Sequence, residues 1–149
     1  MLILSGLVVT FIIVVWLQAA LKNTLVPHNI GLTQNMFAPL TTIMSGVSSQ
    51  SSLKEKFVEP LPFREDLFES KRRFLEAAKE IGQFKITNEY KTYMHLVFTS
   101  SFFKLNDDVE VFFDDVLHRI HYRSVARINY FDRNRNVKRY QAIKKLYMD

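Results

Sequence analysis

The chain has 149 residues, of which 48% are hydrophobic and 13% aromatic, and its formal net charge is +5. This length and composition predict a folded chain with one domain and an anchor, and they exclude two ordinary domains and a wholly disordered protein. Because the sequence contains no cysteine, it also excludes disulfides, cysteine-ligated zinc, iron–sulfur clusters and thiol catalysis.

The N-terminal segment is apolar and uncharged. Residues 2–21 contain no Asp, Glu, Lys or Arg, and a helix of that length spans about 30 Å, the thickness of the hydrocarbon core of a bilayer. We expect a transmembrane helix over residues 1–21, with residues 2–21 in contact with lipid. A cleaved signal peptide is the alternative. It is disfavoured because no basic residue precedes the run and Leu17 stands where cleavage needs a small residue.

Residues 22–52 are predicted to be a linker. They are rich in Ser, Thr, Asn and Gln, and residues 45–52 have the composition of a loop. A loop lying over the domain is favoured, because apolar loop residues usually cover their own core. A partner or the bilayer surface are the alternative contacts for the apolar residues of this segment. Those residues are Met36, Phe37, Leu40, Ile43 and Met44.

Residues 53–149 are predicted to fold as an α+β domain. Apolar residues at helical spacing indicate an amphipathic helix that begins after the capping residue Asp66 and ends at Gly82. A last helix is expected from Asn134 to Tyr147. Short connections between the intervening strands imply an antiparallel sheet of about four strands, covered by the two helices. The four strand patterns lie at 84–87, 93–99, 109–113 and 120–127.

Charged residues are densest in the last two predicted strands. If Asp114 lies opposite Arg119 across the turn between them, Glu110 faces Arg123, and such a pair contributes about 0.2–1 kcal/mol when exposed. A slip of one residue would place Arg123 on the other face of the sheet from Glu110. The pairing is therefore also a prediction of register.

Three interpretations of these charges remain open. They can be ion pairs that stabilise the sheet. They can form a polar site on one sheet face, where the arginines bind an anion or the carboxylates bind a hard cation. Two carboxylates can also act as acid and base, but the sequence offers no dedicated nucleophile. We favour stabilising ion pairs and expect no catalytic residues.

The same residues resemble a known family, domain of unknown function 1499. Its signature reads D-D-V-E and then R-S-A-S-R-V-G-Y-S-D-x-G-x-N-R-x-R, and residues 107–110 and 123–139 are similar to it. Residues 47–50 and 59–61 are similar to its N-terminal elements, N-C-V-S-S-Q and x-P-L. The resemblance covers residues 45–147. The candidate binding residues, from the cluster and the resemblance together, are Asp107, Asp108, Glu110, Arg123, Ser124, Arg127, Asp132, Asn136 and Arg139.

Several positions depart from the family pattern. Gly46 stands where Cys is usual, and Asn129 and Asn134 stand where Gly is usual. Asn tolerates a left-handed backbone better than most residues, so these turns can be kept. The family carries no established activity, but its bacterial members often have membrane segments. That resemblance slightly favours an extracytoplasmic domain, whereas Lys22 favours the cytoplasmic side, and both stay open.

The C-terminal part of the chain is basic. Residues 117–149 hold nine Lys and Arg against two Asp, a balance that attracts anionic lipid, an acidic protein or nucleic acid. Nucleic acid is not expected, because no recognised reading module is present. His118 and His121 lack a third ligand, so we expect no metal site, and no cofactor is indicated. His95, in an apolar strand, is expected to be a satisfied core histidine.

Together these features predict a single-pass membrane protein with a non-catalytic interaction domain. We expect an accessory or structural subunit that binds a membrane protein assembly. The aromatic run of Phe98, Phe102, Phe103, Phe112 and Phe113 is most simply core, and the alternative is that Phe102 and Phe103 form an exposed loop tip, a candidate contact with membrane or partner. The alternative is a domain that binds a small anionic ligand, or is weakly catalytic, at the charged cluster.

Overall fold

The computed structural model describes residues 2–129 and 134–149, with side chains from residue 6 onward. The chain begins with helix α1, Leu2–Thr24. The side chains of residues 6–18 are all exposed. One described helix, Gly6–Thr24, is long and apolar enough to cross a membrane by its length and composition. Helix α1 ends at Thr24, three residues after the predicted end at residue 21.

The domain is built on one six-stranded antiparallel sheet. The strand order is β3-β8-β7-β6-β5, and β4 pairs with the same edge of β8 as β3 does. A separate two-stranded hairpin, β1 with β2, precedes it. The strands are β1 Leu32–Thr33, β2 Met36–Phe37, β3 Gly46–Ser48, β4 Leu61–Pro62, β5 Phe84–Glu89, β6 Tyr93–Thr99, β7 Asn106–Asp114 and β8 Arg119–Ala126.

The four predicted strands are present as β5 to β8, and four short strands, β1 to β4, were missed. The prediction of a loop over residues 45–52 is wrong for Gly46–Ser48, which forms an edge strand of the sheet. Three residues are too few to show an alternating pattern. Gly46 permits the close pairing, since a Cβ there would lie 2.4 Å from the backbone oxygen of Ser124.

Two helices cover one face of the sheet. Helix α2, Leu67–Ile81, is capped by Asp66, whose carboxylate accepts a hydrogen bond from Glu69 N at 2.8 Å. Helix α3, Arg135–Met148, follows Asn134, which has the left-handed backbone (φ 60°) expected from the departure at this position. Asn129 does not adopt that backbone. The core lies between helices and sheet and includes Phe74, Ala78, Met94, Leu96, Val109, Val111, Phe113, Ile120, Tyr122, Ile143 and Tyr147.

The predicted register of the β7–β8 hairpin is confirmed. Asp114 lies opposite Arg119 and Glu110 lies opposite Arg123. The pattern of alternation therefore assigned each side chain of this hairpin to its face of the sheet.

The second face of the sheet is covered by the segment that follows α1. Phe37 packs on Tyr93 and Phe112 from that face, and Leu40 is buried as well. Ile43 is 81% exposed. The apolar residues of the predicted linker thus divide between contact with the domain and contact with solvent.

Candidate functional site

The sheet separates the predicted polar residues into two clusters. Asp107 and Ser124 point toward the helices, whereas Asp108, Glu110 and Arg123 point to the other face, because successive residues of a strand alternate. Of the candidate binding residues, Asp108, Glu110, Arg123 and Arg127 lie together on one face, and Asp107, Ser124, Asn136 and Arg139 lie together on the other. The open interpretation of a polar site on one sheet face therefore applies to the first four residues only. Asp132 lies outside the described residues.

The helix-side cluster joins α3 to the sheet and consists of Asp107, Ser124, Arg135, Asn136 and Arg139. Asp107 is buried and accepts from both arginines, with Arg135 Nε at 2.6 Å from Oδ2. Arg139 also donates to Asn136 Oδ1 at 2.8 Å and to Ser124 Oγ at 3.1 Å. Its guanidinium lies 4.6 Å from the ring centre of Phe98. These contacts hold the first turns of α3 against the sheet.

The open-side cluster, named for the face that carries no helix of the domain, lies beneath the segment that follows α1 and consists of the buried residues His95, Asp108, Glu110, Arg123 and Arg127. Arg127 donates two hydrogen bonds of 2.8 Å to Asp108, and His95 Nε2 lies 2.8 Å from Asp108 Oδ1. Burial acts to raise the pKa of Asp108, but the hydrogen bonds from Arg127 and His95 outweigh it and hold that pKa below its ordinary value.

Glu110 is the second buried carboxylate of the open-side cluster. Its oxygens accept from Arg123 Nη1 at 2.5 Å, from the Tyr93 hydroxyl at 2.8 Å and from the backbone N–H of Gly31 at 2.7 Å. Burial, together with the charge of Glu110, raises the pKa of Tyr93, so the phenol stays protonated and donates. Gly31 belongs to the segment after α1, so that segment completes the shell around Glu110.

His95 links the open-side cluster to the neighbouring strand. Its Nδ1 lies 2.6 Å from the hydroxyl of Thr87, where β5 carries a register shift between Ile86 and Asn88. The same hydroxyl lies 3.1 Å from the backbone oxygen of His95, to which it donates, so Thr87 contacts both the ring and the backbone of His95. This order of hydroxyl, imidazole and carboxylate is that of a hydrolytic triad. Here, however, Arg127 binds both oxygens of Asp108, so this carboxylate is not dedicated to the imidazole as it is in such a triad. His95 is a satisfied buried histidine, as predicted.

The end of α1 is hydrogen-bonded to the domain. Asn23 donates to the backbone oxygen of Lys104 and accepts from the backbone N–H of Asn106, each at 2.8 Å. Arg127 Nη1 donates to the backbone oxygens of Asn23 and Thr24 at 3.0 and 3.1 Å. A cation at the C-terminal carbonyls of a helix complements its dipole. One arginine therefore joins α1 to the open-side cluster.

A cavity of about 650 Å³ opens between the end of α1 and the open-side cluster. Leu21, Leu25, Val26 and Ile30 contribute apolar walls, and Arg123, Arg127, Asp108 and Lys22 contribute charge. The side chain of Arg123 is 1% exposed, and its Nε has no hydrogen-bond partner within residues 2–129 and 134–149. The cavity thus combines an apolar wall with a buried, unsatisfied donor.

Much of the basic C-terminal excess is paired internally. Arg123, Arg127, Arg135 and Arg139 bind the three buried carboxylates of β7, which are Asp107, Asp108 and Glu110, and Lys144 binds Glu59 at 3.2 Å. Among the described residues of this stretch, the exposed cations are Arg119, Lys138 and Lys145. In the part of the chain that the structure describes, no group of three or more His, Asp or Glu is arranged to hold a metal ion.

Several contact residues of the two clusters were not predicted. Thr87, Tyr93, His95 and Gly31 come from distant parts of the chain, and only the tertiary fold brings them to β7. Arg135 could have been found, since it lies one helical turn before Arg139 and so shares its face.

The chain belongs to a known protein family. The model of the family described as "Protein of unknown function (DUF1499)" matches residues 38–146, which include β3 to β8 and both domain helices up to Leu146. No curated protein and no solved structure matches the chain. The family confirms the resemblance carried by the D-D-V-E and R-S motifs.

Proposed function

We propose that this DUF1499 protein is a single-pass membrane-anchored, non-catalytic interaction domain that serves as an accessory or structural subunit of a membrane protein assembly. The observation that carries the proposal is the junction between α1 and the sheet. Asn23 and Thr24 make five hydrogen bonds to Lys104, Asn106 and Arg127. A domain joined to its anchor in this way presents a defined surface to whatever surrounds the helix.

The loop between β6 and β7 lies at the same end of the sheet as the end of α1. Lys104 of this loop accepts from Asn23, and Phe102 is 84% exposed. Exposed aromatic residues beside a membrane helix suit the bilayer interface or a membrane partner. The turn between β7 and β8, with Val116 86% exposed, lies at the opposite end of β7.

The non-catalytic part of the proposal is supported by the state of the polar groups. Asp107, Asp108 and Glu110 each accept from an arginine, and all three are buried. Carboxylates whose oxygens are bound to a guanidinium in this way serve poorly as general acids or bases, because those oxygens are already committed to an arginine. Hydrolysis would require Asp108 to leave Arg127.

Site-specific photocrosslinking in native membranes tests the proposal. A photoreactive phenylalanine analogue replaces Phe11 in α1, Phe102 in the membrane-side loop, or Val116 in the far turn. We expect a membrane protein adduct of defined mass from Phe11 or Phe102 and none from Val116. If none of the three positions gives a protein adduct, or if all give the same diffuse set, the proposed role as a subunit is wrong.

A further inference from the structure

The cavity at the end of α1 has the composition of a site for an acidic amphiphile. Its apolar walls are the aliphatic side chains of Leu21, Leu25, Val26 and Ile30, and its charged residues are Lys22 from α1 and Asp108, Arg123 and Arg127 from the sheet side. Its volume of about 650 Å³ falls within the ~300–1,000 Å³ common for sites of small ligands. A ligand that is polar throughout would leave the aliphatic walls in contact with water. A ligand that is apolar throughout would leave the charged groups without partners.

One of the residues that line this cavity, Arg123, has an unsatisfied polar atom, its buried Nε–H. The side chain is 1% exposed, and its Nη1 is committed to Glu110 Oε2. In the described part of the chain, the only other buried side-chain polar atom without a partner is the hydroxyl of Tyr122, which lies among the core residues on the helix side. A buried guanidinium N–H without an acceptor is costly, so an acceptor that enters the cavity would be bound favourably.

The charges around the cavity favour a single negative charge on that acceptor. Lys22, Arg123 and Arg127 line the cavity together with Asp108, and Glu110 pairs with Arg123 from behind. One positive charge therefore remains in excess, at Lys22 near the end of α1. A phosphodiester carries one negative charge and several acceptor oxygens, which suits both Lys22 and the Nε–H of Arg123.

We propose that this cavity binds the headgroup of an anionic phospholipid, with Arg123 and Lys22 at the phosphate and part of an acyl chain along Leu25, Val26 and Ile30. This inference rests on the membrane anchoring in the proposed function, because Gln18, Leu21 and Lys22 of α1 line the cavity and would lie at the level of lipid headgroups. It does not require a protein partner.

Native mass spectrometry of the full chain in a neutral detergent tests the proposal. The protein is titrated separately with phosphatidylglycerol, with phosphatidylcholine and with a free fatty acid, all of one acyl length. We expect one phosphatidylglycerol per chain, bound about tenfold or more tightly than phosphatidylcholine, a difference equivalent to about 1.4 kcal/mol. Equal binding of the two phospholipids, or tighter binding of the fatty acid, would overturn the assignment to an anionic phospholipid.

Two test variants, each with a matched control, locate the lipid without disturbing the buried ion pairs. Val26→Trp adds bulk to the cavity wall at a half-exposed position and should abolish the bound lipid, whereas Val116→Trp in the far turn should leave it unchanged. Lys22→Gln should weaken phosphatidylglycerol binding by about fivefold, as one cation near a lipid surface does, and Lys85→Gln in β5 should have no effect. Retention of the lipid by Val26→Trp would place it elsewhere and contradict the proposal.

The lipid titration tests only the lipid site, and the crosslinking experiment tests only the proposed role as a subunit, so either proposal can be refuted without the other. A chain without protein partners can still bind one phosphatidylglycerol, and a true subunit can bind none. A purified chain that shows no lipid preference therefore refutes the lipid site alone.

Discussion

The two faces of the sheet are stabilised in different ways. The helix face buries a continuous apolar core, and its polar cluster lies at the edge where α3 begins. The other face has little apolar surface, with a cluster of only Phe37, Tyr93 and Phe112, and is held by paired charges. The same strands alternate between both environments. The open side also depends on the N-terminal part of the chain, because Gly31 after α1 donates its N–H to Glu110, and Asn23 and Thr24 at the end of α1 offer two carbonyls to Arg127.

This comparison predicts that the largest loss of stability comes from removing one charge of the open-side cluster. Glu110→Ala should lower the free energy of unfolding by about 3–5 kcal/mol, because it leaves the buried Arg123 unpaired. Denaturant unfolding of the full chain in mild detergent measures the change. The double variant Glu110→Met with Arg123→Met should recover most of the loss, since it removes both charges. A double variant as unstable as Glu110→Ala would contradict this account.

On the helix face, the loss of apolar volume should dominate. Phe74→Ala should cost about 3 kcal/mol or more, since the side chain is fully buried in the main core. Phe37→Ala, its counterpart on the open side, should cost about 2 kcal/mol, because its cluster is small and next to solvent. Thermal unfolding of both variants tests this order. The reverse order would mean that the segment after α1 carries more of the fold than the helices do.

The edge strand β3 should be sensitive to a single methyl group. Gly46→Ala would place a Cβ 2.4 Å from the backbone oxygen of Ser124, and the resulting shift should cost about 1–3 kcal/mol. Gly82→Ala is the matched control, because no atom lies within 4 Å of a Cβ there. Hydrogen exchange of the β3–β8 amides should rise in the first variant only. Equal exchange in both would contradict the close approach of β3 to β8.

Acid should destabilise the protein through Asp108. Its folded-state pKa is lowered below the ordinary value of 3.8, so the unfolded chain takes up the proton first. The stabilisation is fully present above pH 3.8 and is lost as pH falls below it, by no more than about 1.4 kcal/mol per pH unit for one proton. Unfolding free energies measured from pH 7 to pH 3 test this. A curve that stays flat below pH 4 would contradict the lowered pKa.

The smallest change in stability is expected from removing a charge at the surface of α2. Glu69 accepts from Arg72 and Arg73 there, and these hydrogen bonds lower its pKa to about 2. Because both arginines are more than 40% exposed, solvent screens the pairs, and Glu69→Ala should change stability far less than Glu110→Ala. Unfolding of the two variants side by side checks the contrast. A comparable loss in both would remove the distinction between buried and exposed charges.

Local patterns in the sequence predicted the helices and the longer strands. Contacts between residues far apart along the chain could not be predicted. Asp66 and Gly82 marked the ends of α2, and alternation placed Glu110 opposite Arg123. The same alternation implies that Asp107 and Asp108 face opposite ways, which argues against one shared site. Gly31 and the short strand Gly46–Ser48 could not be assigned, because their partners lie about 80 residues away and no periodicity points to them.

The central claim is that α1 crosses a membrane and fixes the β6–β7 loop at its surface. Because the chain has no cysteine, single cysteines at Phe102 or Val116 can be labelled alone in sealed vesicles with a membrane-impermeant maleimide. Both positions are more than 80% exposed in the structure. The account predicts slow labelling of Phe102→Cys and fast labelling of Val116→Cys, and equal rates once the chain is unfolded in denaturant. Equal, fast labelling of both positions in vesicles would contradict it.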